Sequence, residues 1–546
     1  MGIPAYFSYI IKNHAQILKN LLFVQSTIQF DHLYMDCNSV IYDTYHEILL
    51  SNKDPTFDEI IDKTIQNIQA IVVLIRATKT VYIAFDGVAP LAKMKQQRSR
   101  RYRTLYTNNT DAVNTTIFNT TMITPGTRFM KRLSVRLHEE FDKSGYIITT
   151  ADEPGEGEHK MMQHMRDHPD KDGFTAIYGL DSDLIMLAIY HEYLYKHIFI
   201  FREAQEFFKS RIPITFSHAK EPYFMDISEL IRSIASEMRV DGNSVETTIQ
   251  TVYDYVFLCF MIGNDFLPHF PMVNIRTHGI QILLDTYYNL PAKHKKLVNI
   301  GKRLSEDDAG NVVKASSPNA TVLRTSTLGS KSTIHWTAIA QLMESLAKNE
   351  HELFAQEYDH REKQSRRFFP ETTPDEKDVA LSNSPSQFRG EEMYIAPHIN
   401  GWETRYYKTL FHTKNPNKEF IQKICVNYME GLEWVFDYYT TGCTDWQWKY
   451  KHDYPPLFRD LCMYIPTINT RFIVEYREPC TTTQQLMYVL PAKQQFDEGI
   501  IDEELCHTLS IQEKSKLQYG WAFCKYLWEA HIQVEGFTEG RLVVSE

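Results

Sequence analysis

Phe174-Thr175-Ala176-Ile177-Tyr178-Gly179-Leu180-Asp181-Ser182-Asp183 is the stretch on which the fold reading turns. A short β-rich run ends in two carboxylates spaced by one residue, and in extended chain such residues point to the same side. Two earlier segments end in the same way: His32-Leu33-Tyr34-Met35 runs into Asp36, and Val81-Tyr82-Ile83-Ala84-Phe85 runs into Asp86. Between them, Phe57 to Ile75 carries Ile60, Ile61, Ile65, Ile68, Ile71, Val72 and Ile75 at helical intervals. Strands alternating with helices over residues 1–300 predict an α/β fold, a mostly parallel central sheet flanked by helices. Ligands of such open sheets bind beyond the carboxyl ends of the strands, so these acids should gather on one rim.

Further acids join them. Pro154-Gly155-Glu156-Gly157-Glu158-His159 repeats the one-residue spacing with glutamates, in a glycine turn that should open a helix. Asp265 sits in Ile262-Gly263-Asn264-Asp265-Phe266-Leu267-Pro268, directly after the apolar run Val256 to Ile262. A single strand-end aspartate is often only the cap of the next helix. Seven caps at such positions are less plausible, because so many carboxylates on one rim repel one another unless cations neutralise them. Oxygen ligands without Cys or clustered His suit Mg²⁺, with Mn²⁺ as a substitute. Two ions about 4 Å apart are the usual device for displacement at a phosphodiester. His159 at a helix start reads more readily as structural than as a proton carrier.

Next to this rim comes Pro90-Leu91-Ala92-Lys93-Met94-Lys95-Gln96-Gln97-Arg98-Ser99-Arg100-Arg101-Tyr102-Arg103, with six cations and no acid. On a helix Lys93, Gln97, Arg100 and Arg101 form one stripe. Charge runs are usually solvated faces. This one, uncompensated in an acidic chain and starting just past Asp86, reads as a pocket for phosphate, which arginine grips as a fork and lysine as a point charge.

The chain has 546 residues, enough for three to four domain-sized masses, and 43% of them are hydrophobic, which excludes a disordered or fibrous protein. Lys plus Arg number 58 against 69 Asp plus Glu, a net charge of −11, so a passive nucleic-acid coat is excluded too. Eight scattered cysteines without a C-x-x-C pair argue against a disulfide scaffold or zinc ribbon, and no apolar stretch approaches a membrane span. The expected setting is soluble, reducing and cytoplasmic, without a membrane. Residues 1–300 form the expected α/β domain, with an Asn- and Thr-rich loop at 104–121. Residues 301–395 read as polar linkers (305–332 and 361–390) around a helix over 334–354. Residues 396–546 are aromatic-rich and mainly helical.

Taken together these segments resemble the XRN family of 5′→3′ exoribonucleases. The start Met1-Gly-Ile-Pro-Ala-Tyr-Phe7, the run from Asp86 to Arg103, Ile123-Thr-Pro-Gly-Thr127, the 154–160 turn, Gly179 to Leu187 and Gly263 to His269 follow its motifs nearly residue by residue. Gly401 to Tyr407, Tyr428 to Val435, Asp445-Trp446-Gln447-Trp448 and Gln484 to Pro491 are similar to its second conserved region. The resemblance implies a 5′-nuclease, PIN-like catalytic domain with the helical region packed on it and completing the substrate channel. It implies two Mg²⁺ ions held by Asp36, Asp86, Glu156, Glu158, Asp181, Asp183 and Asp265. By the same token Lys93, Gln97, Arg100 and Arg101 recognise a 5′-monophosphate, and Pro90 helps keep duplex out. Tyr42 stands where the family carries a base-stacking His, and Trp446 or Trp448 could stack on a base.

The chain reads as a short, core-only member, without the long C-terminal extension or the cysteine zinc knuckle of other branches. The implied activity is processive hydrolysis of single-stranded RNA from a 5′-monophosphate end to nucleoside 5′-monophosphates, in RNA decay. A monomer is expected, with a decapping enzyme as a conceivable partner. The alternatives are a structure-selective DNA 5′ nuclease, or a catalytically silent RNA-binding scaffold.

Overall fold

Leu33, Met35, Val81, Ile83, Ala176 and Tyr178 belong to one buried cluster, while Tyr34, Tyr82, Ala84 and Ile177 belong to another. This alternation within single strands is that of a sheet buried on both faces. The computed structural model describes residues 2–107, 118–179, 181–204, 209, 212–218, 220–239, 245–300, 332–468, 470–473 and 475–534. Among them seven strands make the main sheet: β1 (Leu18–Asn20), β2 (His32–Asp36), β3 (Thr80–Ala84), β4 (Ile147–Thr149), β5 (Asp170–Tyr178), β6 (Tyr195–Glu203) and β7 (Pro222–Asp226). Their order is β1-β7-β6-β5-β2-β3-β4. The five strands from β6 to β4 are parallel, and β7 and β1 add an antiparallel edge.

The three strands read from the sequence are β2, β3 and β5, with ends shifted by a few residues. The predicted helix forms over Phe57–Ile75, held at its start by a reciprocal Thr56–Glu59 capping box. Its isoleucine stripe packs under the β2–β3 face with Phe129, Leu133 and Leu137 of the helix Arg128–Phe141. Each fully buried side chain there contributes roughly 1.5–3 kcal/mol relative to exposure. The opposite face is covered by the helices Gly157–Asp167, Asp183–His191 and Val245–Cys259, and by the long helix Lys418–Thr440 of the C-terminal region.

The middle of the chain departs from its reading. The single helix expected over 334–354 is two, Trp336–Lys348 and Glu350–Ser365, broken at Asn349. The break places Glu350, 2% exposed, to accept from the backbone N–H groups of Phe458 and Arg459. The polar stretch 361–390 is largely helical, with helices Pro374–Ser382 and Ser384–Gln387. Two of its arginines are buried on Glu392: Arg361, 3% exposed, donates from Nε to both carboxylate oxygens at 3.0 and 2.9 Å, and Arg389, 4% exposed, donates to Oε2. Residues 305–331 of the expected first linker, and 108–117 of the expected loop, lie outside the described residues. The basic run is helical through Thr107. No helix among the described residues is long and apolar enough to cross a membrane.

Asp254, on the helix Val245–Cys259, is fully buried and ties that helix to the chain that follows. It accepts from Leu297 and Val298 N–H at 3.0 and 3.1 Å and from the Tyr287 hydroxyl at 2.8 Å. Burial pushes its carboxyl up to about 7. A carboxyl raised in this way binds its proton more tightly folded than unfolded. The stability it lends is therefore complete below about pH 4 and is lost as pH rises towards 7. Asp254→Asn does not titrate, so the gap in thermal midpoint, wild type minus variant, should shrink between pH 4.5 and 7.5. A gap independent of pH would show Asp254 ionised throughout.

Candidate active site

From β2 the chain proceeds outward to β3 and β4, then returns to lay β5 on the other side of β2 and continues to β6. The β2/β5 boundary is therefore the topological switch point, where open α/β sheets bind their ligands. Asp36 ends β2, and Asp181 follows β5. Asp86 follows β3, and its carboxylate is fixed by two donors: Asn38 Nδ2 at 2.6 Å and the Gly157 N–H at 2.7 Å. The Asp86 N–H returns a bond to Asn38 Oδ1 at 3.1 Å.

Glu156 caps the helix Gly157–Asp167, and Glu158 lies in its first turn. Asp183 lies in the first turn of Asp183–His191. Helix starts favour negative charge, which offsets part of the cost of assembling these acids. A side chain at position 157 would stand 2.9 Å from Asp36 Oδ1, so only glycine lets the two elements approach this closely.

These groups meet in a cleft of about 250 Å³. Asp36, Asp86, Glu156, Glu158 and Asp181 line it on one side, and Lys93, Gln97, Arg100 and Arg101 on the other. Tyr42, Ser39 and the loop residues Ile123, Thr124 and Pro125 complete the wall. Asp183 and Asp265 lie beneath, 2% and 5% exposed. All seven predicted acids thus converge.

Their electrostatics are those of a crowded, dry centre. Burial, then the charges of Asp86 and Asp181, push Asp36 well above the usual carboxylate range. Burial and Asp183 do the same to Glu158, and burial with Asp265 takes Asp183 up to about 7. Within the cluster Lys93 is the counter-charge, its Nζ 2.5 Å from Glu156 Oε2 and 2.9 Å from Asp265 Oδ2. Burial alone would discharge it, but Asp265 and Glu156 hold it well above the ordinary lysine value. Lys93 therefore lines the cleft with the rest of the stripe but turns its ammonium to the acids.

Gln97, Arg100 and Arg101 remain on the cleft wall. Arg101 Nη2 donates to the Ile123 carbonyl and to Thr124 Oγ1, both at 3.2 Å. His159 is buried and packed face to face on Tyr438 at 3.5 Å, and burial, aided by Arg166, keeps it neutral. It fits the structural reading, although its ring and the carboxylates of Glu156 and Glu158 offer ligand atoms within 4.8 Å of one another.

Three predicted contacts are placed elsewhere. Trp448 is 5% exposed and stacked on Trp434 at 5.2 Å, so its ring offers no face to a base. Trp446 is half-buried beside Gly155, Lys160 and Tyr438, on a groove distinct from the acidic cleft. Its role here is in the backbone, since its carbonyl accepts from Leu91 N–H at 2.8 Å and seats the basic helix Leu91–Thr107. Pro90 is buried at the start of that helix. Sequence reading passed over Asn38, two residues past Asp36, and the buried tyrosines 438 and 439, which lie between two quoted motifs.

Buried oxygens Asp36 Oδ1, Glu158 Oε2 and Asp183 Oδ1 have no hydrogen-bond partner among the described residues. Orphaned carboxylate oxygens are costly unless something positive meets them, and an all-oxygen donor set fits a hard divalent cation.

Fold and site together define an α/β protein whose switch-point acids are suited to cations and face a basic wall. Residues 1–204 match the XRN 5′-3′ exonuclease N-terminus, and residues 247–396 and 395–497 match the Xrn1 helical domain. The chain belongs to the XRN 5′-3′ exonuclease family. It is 25% identical to 5′-3′ exoribonuclease 2 of Arabidopsis thaliana, over 90% of this chain and 61% of that protein. It is 26% identical to 5′-3′ exoribonuclease 1 of Saccharomyces cerevisiae and 27% identical to that of Homo sapiens, again over 90% of this chain. The aligned parts are 39% and 30% of those two proteins, so the chain spans less than two thirds of each of the three relatives.

Without a cation the cluster opposes folding. Asp36→Asn should therefore leave the thermal midpoint in EDTA at pH 8 unchanged or higher, by roughly 2 °C for each kcal/mol of repulsion relieved. It should also blunt the rise in midpoint that Mg²⁺ gives the wild type. A clear loss of stability in EDTA would show that the acids are not in mutual conflict.

Proposed function

We propose that the protein is a 5′→3′ exoribonuclease that removes nucleoside 5′-monophosphates, one after another, from single-stranded RNA with a 5′-monophosphate. The observation that carries this reading is the sharing of one cleft by the acids and by Gln97, Arg100 and Arg101. A terminal phosphate held by the two arginines and the glutamine amide leaves the first internucleotide bond over the acids. Arginine forks suit a terminal monophosphate, whose oxygens are free for paired hydrogen bonds. A cap or triphosphate is bulkier than the cleft wall allows for.

Tyr42, half-exposed on the wall, presents its ring to the first base, a contact indifferent to sequence. Asp36, Asp86, Glu156, Glu158, Asp181, Asp183 and Asp265 would hold two Mg²⁺, or Mn²⁺ in their place. Bound there, the ions would supply an activated water and stabilise the departing 3′ oxygen. Lys93 balances Glu156 and Asp265 inside the cluster, and the closed aromatic floor around Tyr438 limits bulk water.

The names of the relatives support RNA over DNA as the substrate. Eight free cysteines, four of them buried, support a reducing compartment such as the cytoplasm. An enzyme that exposes 5′-monophosphates, as a decapping hydrolase does, would feed this one, which we take to act as a monomer in RNA decay.

A 5′-labelled monophosphate RNA in Mg²⁺ should release its label as mononucleotide from the first turnover; labelled fragments of intermediate length would mean internal cutting and refute the reading. Asp181→Asn should abolish release while leaving RNA binding in EDTA within about twofold. Arg101→Ala should cut the preference for monophosphate over capped ends roughly tenfold, about 1.4 kcal/mol, as expected for a lost hydrogen bond to a charged group. Equal decay of capped and monophosphate RNA by the wild type would remove end recognition from the proposal.

A further inference from the structure

The acids of the cleft belong to the α/β domain, yet a group fixing one of them comes from the far end of the helix Lys418–Thr440. The Tyr438 hydroxyl donates to Glu156 Oε1 at 2.7 Å across 282 residues of chain. Its ring is 1% exposed and clamped: stacked on His159 at 3.5 Å and on Trp434 at 4.7 Å, with Phe266 edge-on at 5.5 Å. A ring held on these sides leaves the hydroxyl little freedom. Glu156's other oxygen meets Lys93, so each of its oxygens has an assigned partner.

The next residue, Tyr439, is 1% exposed and packs against Phe260 at 5.2 Å, so this turn of the helix is held against the α/β domain. A phenol is suited to fixing a carboxylate. It donates one hydrogen bond and, being neutral, does not compete with a cation for the carboxylate charge. Partners of this kind set the orientation of ligating carboxylates, and losing one costs about 10–100-fold in metal affinity or activity.

We propose that Tyr438 is a positioning residue, which orients Glu156 for divalent-cation binding and so places the metal affinity of the α/β domain under control of the helical region. This rests on reading the acids as a cation centre. The test is direct Mn²⁺ binding to the full chain, followed by electron paramagnetic resonance, for wild type and Tyr438→Phe. Phenylalanine keeps the ring stack and removes only the donor. Tyr450→Phe is the control, since it removes a buried hydroxyl that bonds to the Tyr454 carbonyl instead.

Tyr438→Phe should bind Mn²⁺ roughly tenfold more weakly. Binding of 5′-monophosphate RNA in EDTA should stay within about twofold of wild type, and the Mg²⁺ concentration for half-maximal cleavage should rise in parallel. Wild-type affinity in Tyr438→Phe overturns the inference. So does an equal loss in Tyr450→Phe, which would make the effect one of general packing. No Mn²⁺ binding by the wild type would overturn the cation centre itself, and that failure is distinguishable from the first two.

Discussion

Seven carboxylates packed at one sheet edge, with a single lysine among them, form the constraint to which the rest of this structure answers. In water such acids would stay apart; here burial and neighbouring carboxylates raise the proton affinity of Asp36, Glu158 and Asp183, and the folded chain must supply the energy to hold them. The structure spreads that cost over several devices. Two helices begin at the acids and lend positive ends, Asn38 and the Gly157 N–H pin Asp86, and Lys93 bridges Glu156 and Asp265. None of these saturates the set, and the oxygens left over are those a cation would take.

The basic helix shows how an acidic protein holds a cationic wall. Of its six cations three are engaged away from the cleft. Lys95 donates to the carbonyls of Tyr450 and His452. Arg98 lies over the rings of Tyr102 and Tyr488, and Arg103 reaches the Ala530 carbonyl. Lys93, Arg100 and Arg101 line the cleft with Gln97, Lys93 turned to the acids and Arg101 steadied by the Ile123 carbonyl and Thr124 Oγ1. The C-terminal region gives each of the other three a partner.

How much of this was legible follows from the range of the forces involved. The strand-end acids and the helix Phe57–Ile75 were readable because period and position are local properties of the chain. So was the convergence of the acids, since parallel strands share a carboxyl end. The direction of Lys93 was not, because a helical stripe gives the side of the helix and not which neighbour wins the charge. Trp448 was misplaced for a similar reason. An aromatic cluster looks alike whether it packs on Trp434 or waits for a base, and the fork of Arg477 on Asp445 that pins this segment is made 32 residues away. The stretch 361–390 reads as a linker because most of its charges are solvated, and the two that are buried, Arg361 and Arg389, find their partner Glu392 only after folding.

The helical region is thus more than a lid on an α/β nuclease fold. The Trp446 carbonyl and Gln485 Oε1 fix the entry to the basic helix, through Leu91 and Ala89. Glu513 receives the Tyr102 hydroxyl, and Tyr438 reaches Glu156. These contacts touch both walls of the cleft at once, so the spacing between the basic wall and the acids is determined by how the two regions pack. Buried hydrogen bonds lose value steeply once their geometry slackens. A change anywhere along that shared interface therefore acts on both walls together, and the two parts of the chain work as one site.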